Sequence, residues 1–430
     1  MIHKYQKYKN SGIEWLGEIP EHWEVKRVKE IFNLVRGKFT HRPRNDQKMY
    51  NNGTFPFLQT GDVAKSSKYV LQYKQVLNEN GIKVSRQFKK GTLVMTIAAN
   101  IGDVALLGFD AYFPDSLVAF KTKHNINFYY YLLSATKSEL DTVKITNTQD
   151  NLNLERLNSL LKVCPPLPEQ TIIANYLDKK TTAIDQKINL LTKKADKYKE
   201  LIKSLINQTV TKGLDKTVKL KDSGIEWIGE IPVHWEVKRF KDICYKNHTG
   251  GTPSTSKEES FLGNNTWVTI RDIGKSKYIN KSRLKLTDNA IVEANIPITP
   301  KGSLLYSFKL TLGKIGFAEE DIYTNEALIT ILKTKHNNLD FLYYMLPIFL
   351  LINATENIYG AKMLNQKLIL NAILVSPPLK EQTAIANYLD TKTGKIDAIV
   401  SNIENQINTL KELRKTLIND VVTGKIKVAN

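Results

Sequence analysis

The sequence predicts an α+β fold in which two similar globular domains are separated by two long helices packed as an antiparallel coiled coil, with pseudo-two-fold symmetry between the halves. Three observations predict it: the chain repeats itself, each repeat has a strand-rich interior, and each ends in a long stretch with a coiled-coil seam. Ser11-Gly12-Ile13-Glu14-Trp15-Leu16-Gly17-Glu18-Ile19-Pro20, then His22-Trp23-Glu24-Val25-Lys26-Arg27, returns as Ser223-Gly224-Ile225-Glu226-Trp227-Ile228-Gly229-Glu230-Ile231-Pro232, then His234-Trp235-Glu236-Val237-Lys238-Arg239. The offset is 212 residues (223 − 11). Pro165-Pro166-Leu167-Pro168-Glu169-Gln170 returns at the same offset as Pro377-Pro378-Leu379-Lys380-Glu381-Gln382. A duplication on this scale divides the chain into a first domain over 1–164, a long helix over 165–213, a second domain over 214–376 and a second long helix over 377–430.

Within each domain the repeat fades to a pattern, such as Gly91-Thr92-Leu93-Val94 against Gly302-Ser303-Leu304-Leu305. Short apolar runs such as Thr92-Leu93-Val94-Met95-Thr96-Ile97 and Ser116-Leu117-Val118-Ala119-Phe120 are punctuated by Gly, Pro, Asn and Asp, which predicts strands joined by turns with a few short helices. Asn127-Phe128-Tyr129-Tyr130-Tyr131-Leu132-Leu133 and Leu339-Asp340-Phe341-Leu342-Tyr343-Tyr344-Met345-Leu346 predict an equivalent aromatic helix in each half. At helical spacing such a stripe is a core face; stacking on bases is the alternative.

The paired prolines end a strand and open a helix. From there Leu177, Thr181, Ile184, Ile188, Leu191, Ala195, Tyr198, Ile202 and Leu205 fall at alternating spacings of four and three, a coiled-coil seam. Leu389, Thr393, Ile396, Val400, Ile403, Ile407, Leu410, Arg414 and Leu417 keep the same register, with Arg414 as the one charged interruption. Each helix of roughly 40 residues spans about 60 Å and cannot bury its seam alone, so the two are expected to pack on each other.

A formal net charge of +19 favours a polyanionic partner, nucleic acid ahead of an anionic membrane. No run of about 18 apolar residues and no signal-peptide core is present, so no membrane partner and a cytoplasmic location are expected. Cys164 and Cys244 occupy non-equivalent positions without disulfide or zinc-site spacing and read as free thiols.

Catalytic signatures are missing where they would be expected. Neither GxGxxG nor GxxxxGK[ST] occurs, which removes the phosphate-cradling loops of nucleotide-binding folds. Ser376-Pro377-Pro378-Leu379 and Cys164-Pro165-Pro166-Leu167 approach the motif with which amino-methyltransferases stack a flipped base, but leucine replaces the aromatic residue. Asp178-Lys179-Lys180 and Asp390-Thr391-Lys392 fit a nuclease fragment without a second placed carboxylate, and read as a solvated helix face. His22 and His234, each beside a tryptophan, read as a structural clasp and not as a metal site.

Polar loops suited to DNA recur in both domains and differ between them. Arg36 to Arg44, with Lys38, Thr40, Arg42 and Arg44, stands against His248 to Thr255, with Thr252 and Ser254. Thr60 stands against Arg271, and Asn100 against Lys309 and Thr311. Such side chains read base edges in the major groove and hold phosphates, so these are the candidate DNA contacts.

The repeated Ser-Gly-Ile-Glu-Trp and Pro-Pro-Leu-x-Glu-Gln phrases, Gly251-Thr252-Pro253-Ser254, and Val422-Thr423-Gly424-Lys425-Ile426 together closely resemble the specificity subunits of type I restriction-modification systems, over nearly the whole chain. The first domain departs from the Gly-Thr-Pro-Ser form, carrying Lys38-Phe39-Thr40-His41-Arg42 there. The resemblance implies a non-enzymatic DNA-reading subunit whose two target-recognition domains each read half of a bipartite double-stranded target. It implies that the helices set half-site spacing and dock two DNA adenine methyltransferase subunits, and that restriction subunits join them. S-adenosylmethionine, ATP and magnesium would then sit on those partners and no cofactor on this chain. Two other readings stay open: a stand-alone DNA methyltransferase or nuclease, which would act as an isolated chain, and a coiled-coil adaptor that binds all DNA sequences alike with a steep salt dependence.

Overall fold

The computed structural model describes residues 4–137, 140, 152–274, 276–356 and 362–428. Its contacts divide the chain into two compact units, Met1–Thr192 with Asn405–Asn430, and Lys193–Glu404. Each long helix thus gives its first turns to one unit and its last turns to the other.

In the first unit a five-stranded sheet runs in the order Asn33–Arg36, Leu117–Lys121, Leu93–Thr96, Val104–Leu107, Tyr69–Val70. All neighbours are antiparallel except the last pair. The second unit repeats the order and the hand of every pairing with Asn247–Thr249, Leu328–Ile331, Leu304–Ser307, Ile315–Ala318 and Tyr278–Ile279. The inner strands are continuous apolar runs because both sheet faces are covered. Leu93 and Met95 face a core with the aromatic helix Ile126–Ala135, whereas Val94 faces a second core with Leu58, Val63, Ala105 and Leu107. Leu304 and Tyr306 divide from Leu305 in the same way, against the helix Leu339–Ile352 on one side and Val268, Ile270 and Ile273 on the other. The aromatic stripe of both helices is core: Phe128, Tyr129, Tyr131, Phe341 and Phe349 are all fully buried.

The repeated phrases meet in space. Strand Glu24–Arg27 pairs antiparallel with Leu161–Cys164, and Glu236–Arg239 with Ile373–Ser376; the prolines that follow end each second strand. The long helices then run over Leu167–Lys212 and Leu379–Val422. In their first turns Glu169 receives the Trp23 indole N–H at 3.1 Å and lies 2.8 Å from His22 Nε2. Glu381 does the same for Trp235 at 3.0 Å and His234 at 2.6 Å. Gln170 donates to the Pro165 carbonyl at 2.7 Å and accepts from the Asn125 amide at 3.0 Å, just ahead of the aromatic helix; Gln382 repeats this with Pro377 and Asn338. The histidine–tryptophan pairs are therefore clasps closed by the glutamate of the other repeated phrase.

Within each unit the two long helices run antiparallel. Ile173, Ala174 and Leu177 share a core with Ile418, Val421 and Val422, and farther along Arg414 Nε lies 3.0 Å from Asp185. In the second unit Ile385, Ala386 and Leu389 share a core with Val210, and Lys199 meets Glu404 at 2.9 Å. Leu177, Leu389, Ile396, Val400 and Ile403 are buried, whereas Ile184, Ile188, Leu191, Tyr198, Ile202, Ile407 and Leu410 are half-buried, since one neighbouring helix covers a seam from one side only.

Asp178 and Asp390 correct the expectation of a solvated helix face. Asp178 accepts from Lys68 and from the Tyr131 hydroxyl at 2.6 Å; Asp390 accepts from Lys277 at 2.7 Å and from Tyr344 at 2.5 Å. Their partners lie far away in sequence, where spacing along the helix gives no sign of them. Both cysteines are buried free thiols, and among the described residues no helix is long and apolar enough to cross a membrane.

Candidate nucleic-acid interface

One short crossing segment in each unit gathers the loops that carry the candidate DNA contacts. In the first unit it is Tyr112–Ser116, just before the strand Leu117–Lys121. Lys38 donates its amide to the Phe113 carbonyl at 3.0 Å, Leu58 to Tyr112 at 2.8 Å, and Ile97 to Ser116 at 2.9 Å. These three bonds bring the loop with Lys38, Thr40, Arg42 and Arg44, the helix start with Thr60, and the turn with Asn100 to the same end of the sheet. The approach is so close that a Cβ on Gly37 would stand 2.1 Å from the Pro114 carbonyl, so only glycine fits.

The second unit repeats the arrangement around Thr324–Ala327. Gly251 donates to Thr324 at 2.9 Å, Asn325 to Val268 at 3.1 Å, and Phe308 to Ala327 at 3.0 Å. Thr252 and Ser254, Arg271, and Lys309 with Thr311 are thereby assembled, and a Cβ on Gly250 would stand 1.9 Å from the Thr324 carbonyl.

The side chains assembled there are in different states. Lys38, Thr40, Arg42, Arg44, Asn100, Thr252, Ser254, Arg271, Lys309 and Thr311 are exposed, and Thr60 is half-buried. The Arg42 guanidinium is committed to the backbone, donating to the carbonyls of Phe39 at 2.9 Å and His41 at 2.8 Å. Arg44 is held by Asp115 at 2.6 Å, and Thr252 donates to Glu326. Ser254 pairs with Ser256 at 2.8 Å, and the Lys309 ammonium lies 5.8 Å from the Phe308 ring centre. The turns share one backbone design: Thr96 bonds the Asn100 carbonyl as Ser307 bonds that of Thr311, and Ala99 and Leu310 adopt positive φ of 61° and 60°. Side chains vary on that constant turn.

Asp115 and Glu326 are residues that sequence reasoning missed. Each sits in its crossing segment and holds a candidate contact, and a search for donors does not find carboxylates. Also missed was a groove of about 640 Å³ in the first unit, where Arg44 meets Gln47, Gln59, Lys74 and Gln75 above Phe39 and Tyr50. Gln59 Nε2 donates to Gln75 Oε1 at 2.9 Å there. Amide and guanidinium groups on one wall match the donors and acceptors of base edges. Among the described residues no group of three or more His, Cys, Asp or Glu could hold a metal ion.

The description "Type I restriction modification DNA specificity domain" matches this chain twice, over residues 20–194 and 232–409. The type I restriction enzyme MjaVIII specificity subunit of Methanocaldococcus jannaschii is 24% identical over 439 residues, 96% of this chain and 95% of that protein. The type I restriction enzyme EcoKI specificity subunit of Escherichia coli is 22% identical over 440 residues, 95% and 90% of the two chains. A solved chain described under "Structural basis underlying complex assembly and conformational transition of the type I R-M system" has the same fold, with a TM-score of 0.73 at 15% identity over 94% of this chain and 98% of that one. The HsdS subunit from Thermoanaerobacter tengcongensis matches with a TM-score of 0.55 at 16% identity, again over 94% and 98%. With both halves matched, the chain belongs to the type I restriction-modification specificity subunits, which recognise DNA sequence while catalysis lies in their partner subunits.

Proposed function

We propose that this subunit reads a bipartite double-stranded DNA target, with the domain over 1–164 reading one half-site and the domain over 214–376 the other. The observation that carries the reading is the repeated crossing segment, which assembles equivalent loops with unlike side chains in the two domains. Equal frameworks with unequal polar surfaces are what two different half-sites require. The helices over 165–213 and 377–430 set the distance between half-sites and dock two DNA adenine methyltransferase subunits. Restriction subunits complete the nuclease. S-adenosylmethionine, ATP and magnesium belong to those partners.

Methylome sequencing of the host, with and without this gene and its neighbouring methyltransferase gene, tests the proposal. The expected result is adenine methylation at a sequence of two short specified blocks around an unspecified spacer, lost when either gene is deleted. Methylation at a single undivided block, or no complex between the purified chain and the methyltransferase, refutes it.

A further inference from the structure

Each unit has a groove where its long helices meet the aromatic helix, and the two grooves are equivalent at the repeat offset of 212 (390 − 178; 397 − 185; 414 − 202). In the first unit the groove is about 560 Å³ and includes Tyr131, Asp178, Thr181, Asp185 and Arg414. In the second it is about 950 Å³ and includes Tyr344, Asp390, Thr393, Asp397 and Ile202. Arg414 supplies the first groove with a cation, its Nε 3.0 Å from Asp185. Isoleucine stands at that place in the second groove, and Asp397 makes no ion pair among the described residues.

The other cations of the second groove do not replace it. Lys277 is engaged by Asp390 at 2.7 Å and Asp340 at 3.2 Å. Lys203 also lines the groove, but its counterpart Lys415 coexists with Arg414 in the first unit and does not stand in for it. Apolar walls from Ile206, Pro347, Ile348 and Leu351 lead to the carboxylates. A hydrocarbon stem ending in a cation fits such a site, and arginine is the residue that seats in this way in the twin. The carboxylates repel phosphate, which disfavours DNA here.

We propose that the second-unit groove is a docking site for an arginine or lysine side chain of the partner methyltransferase, which supplies from outside the cation that Arg414 supplies from within in the first unit. This rests on the methyltransferase-docking reading above. The test titrates methyltransferase onto the full chain and counts bound subunits by native mass spectrometry, using wild type, I202R, D397N and, as the control in the first unit, D185N. I202R installs the first unit's arginine and is expected to reduce occupancy by one methyltransferase per chain. D397N is expected to weaken binding by at least about tenfold, and D185N to change it by less than about twofold. Thermal unfolding checks the folding of each variant; if I202R fails to fold, the isosteric D397N carries the test.

Wild-type binding by D397N and a folded I202R overturns the proposal while leaving the DNA-reading function intact. No complex with wild type overturns both. Agmatine serves as a free alkylguanidinium probe. If it binds wild type but not D397N, while methyltransferase binding is the same for both, the groove is a small-molecule site and the docking proposal falls.

Discussion

Leu310 is 95% exposed and holds a φ of 60°, a backbone region that costs a side chain with a Cβ about 1–2 kcal/mol. The φ belongs to the turn shared with Ala99, but the exposed side chain serves no core and places an apolar group between Lys309 and Thr311, at the sheet end where Thr252 and Arg271 also lie. Leu310→Gly is expected to keep or slightly raise the unfolding temperature while weakening DNA binding; calorimetry and a DNA titration at fixed salt separate the two effects. Arg44 belongs to the same scale, because Asp115 at 2.6 Å limits its rotamers and aims its remaining donors. Arg44→Gln is expected to cost about 1–3 kcal/mol at one base position and relax methylation specificity in one half-site only, which methylome mapping of the variant checks. The polar loops were legible as stretches of donors between apolar runs. That Arg42 is committed to the carbonyls of Phe39 and His41 was not legible, because a side chain's partners depend on how its loop closes.

At the scale of elements, the joint between domain and helix explains why the same two phrases recur. Glu381 lies in the first turn of its helix, where the dipole favours an anion, and accepts from the fully buried Trp235. Glu381→Ala strands that indole N–H and is expected to destabilise the second unit by about 1–3 kcal/mol, read as a lower urea midpoint, with Trp235 fluorescence reporting the transition. A second tie joins the aromatic helix to the long helix: Lys277 bonds Asp390 and lies within 5.2–5.9 Å of the ring centres of Phe317, Tyr343 and Tyr344. Burial pushes the Lys277 ammonium toward neutrality, but hydrogen bonds to Asp390 and Asp340 outweigh it and raise its pKa. Lys277→Met keeps the stem and removes the cation; the expected cost is about 1–2 kcal/mol, since the aspartates remain partly exposed, and chemical denaturation measures it. The long helices, the aromatic helices, the seams and the inner strands Leu93–Thr96 and Leu117–Lys121 were legible, being written in patterns within one segment. The ties were not, because Lys68 and Asp178 are 110 residues apart and nothing in either neighbourhood refers to the other.

At the scale of the whole molecule, the shared seam register gives the proposed spacing function a direct test. Adding or removing one helical repeat in the long helices is expected to change the distance between half-sites and leave the bases in each unaltered; methylation mapping that showed new bases at the old spacing would refute this. The duplication and the fold class were legible from two phrases and a seam, since residues repeated at a constant offset must build the same joint twice. The division of each long helix between units was not, because a continuous seam carries no mark of where one core stops and the next begins. That division has a consequence for how the chain comes off the ribosome. Trp23 and Ile19 share their core with Ile418, Val421 and Val422, so the unit begun first waits for residues translated after the second unit's stretch, Lys193–Glu404. The second unit draws its equivalent, Val210, from residues already made when its own Trp235 emerges. Synthesis therefore completes the later unit before the earlier one, and a nonsense codon at position 418 injures the domain that holds Trp23.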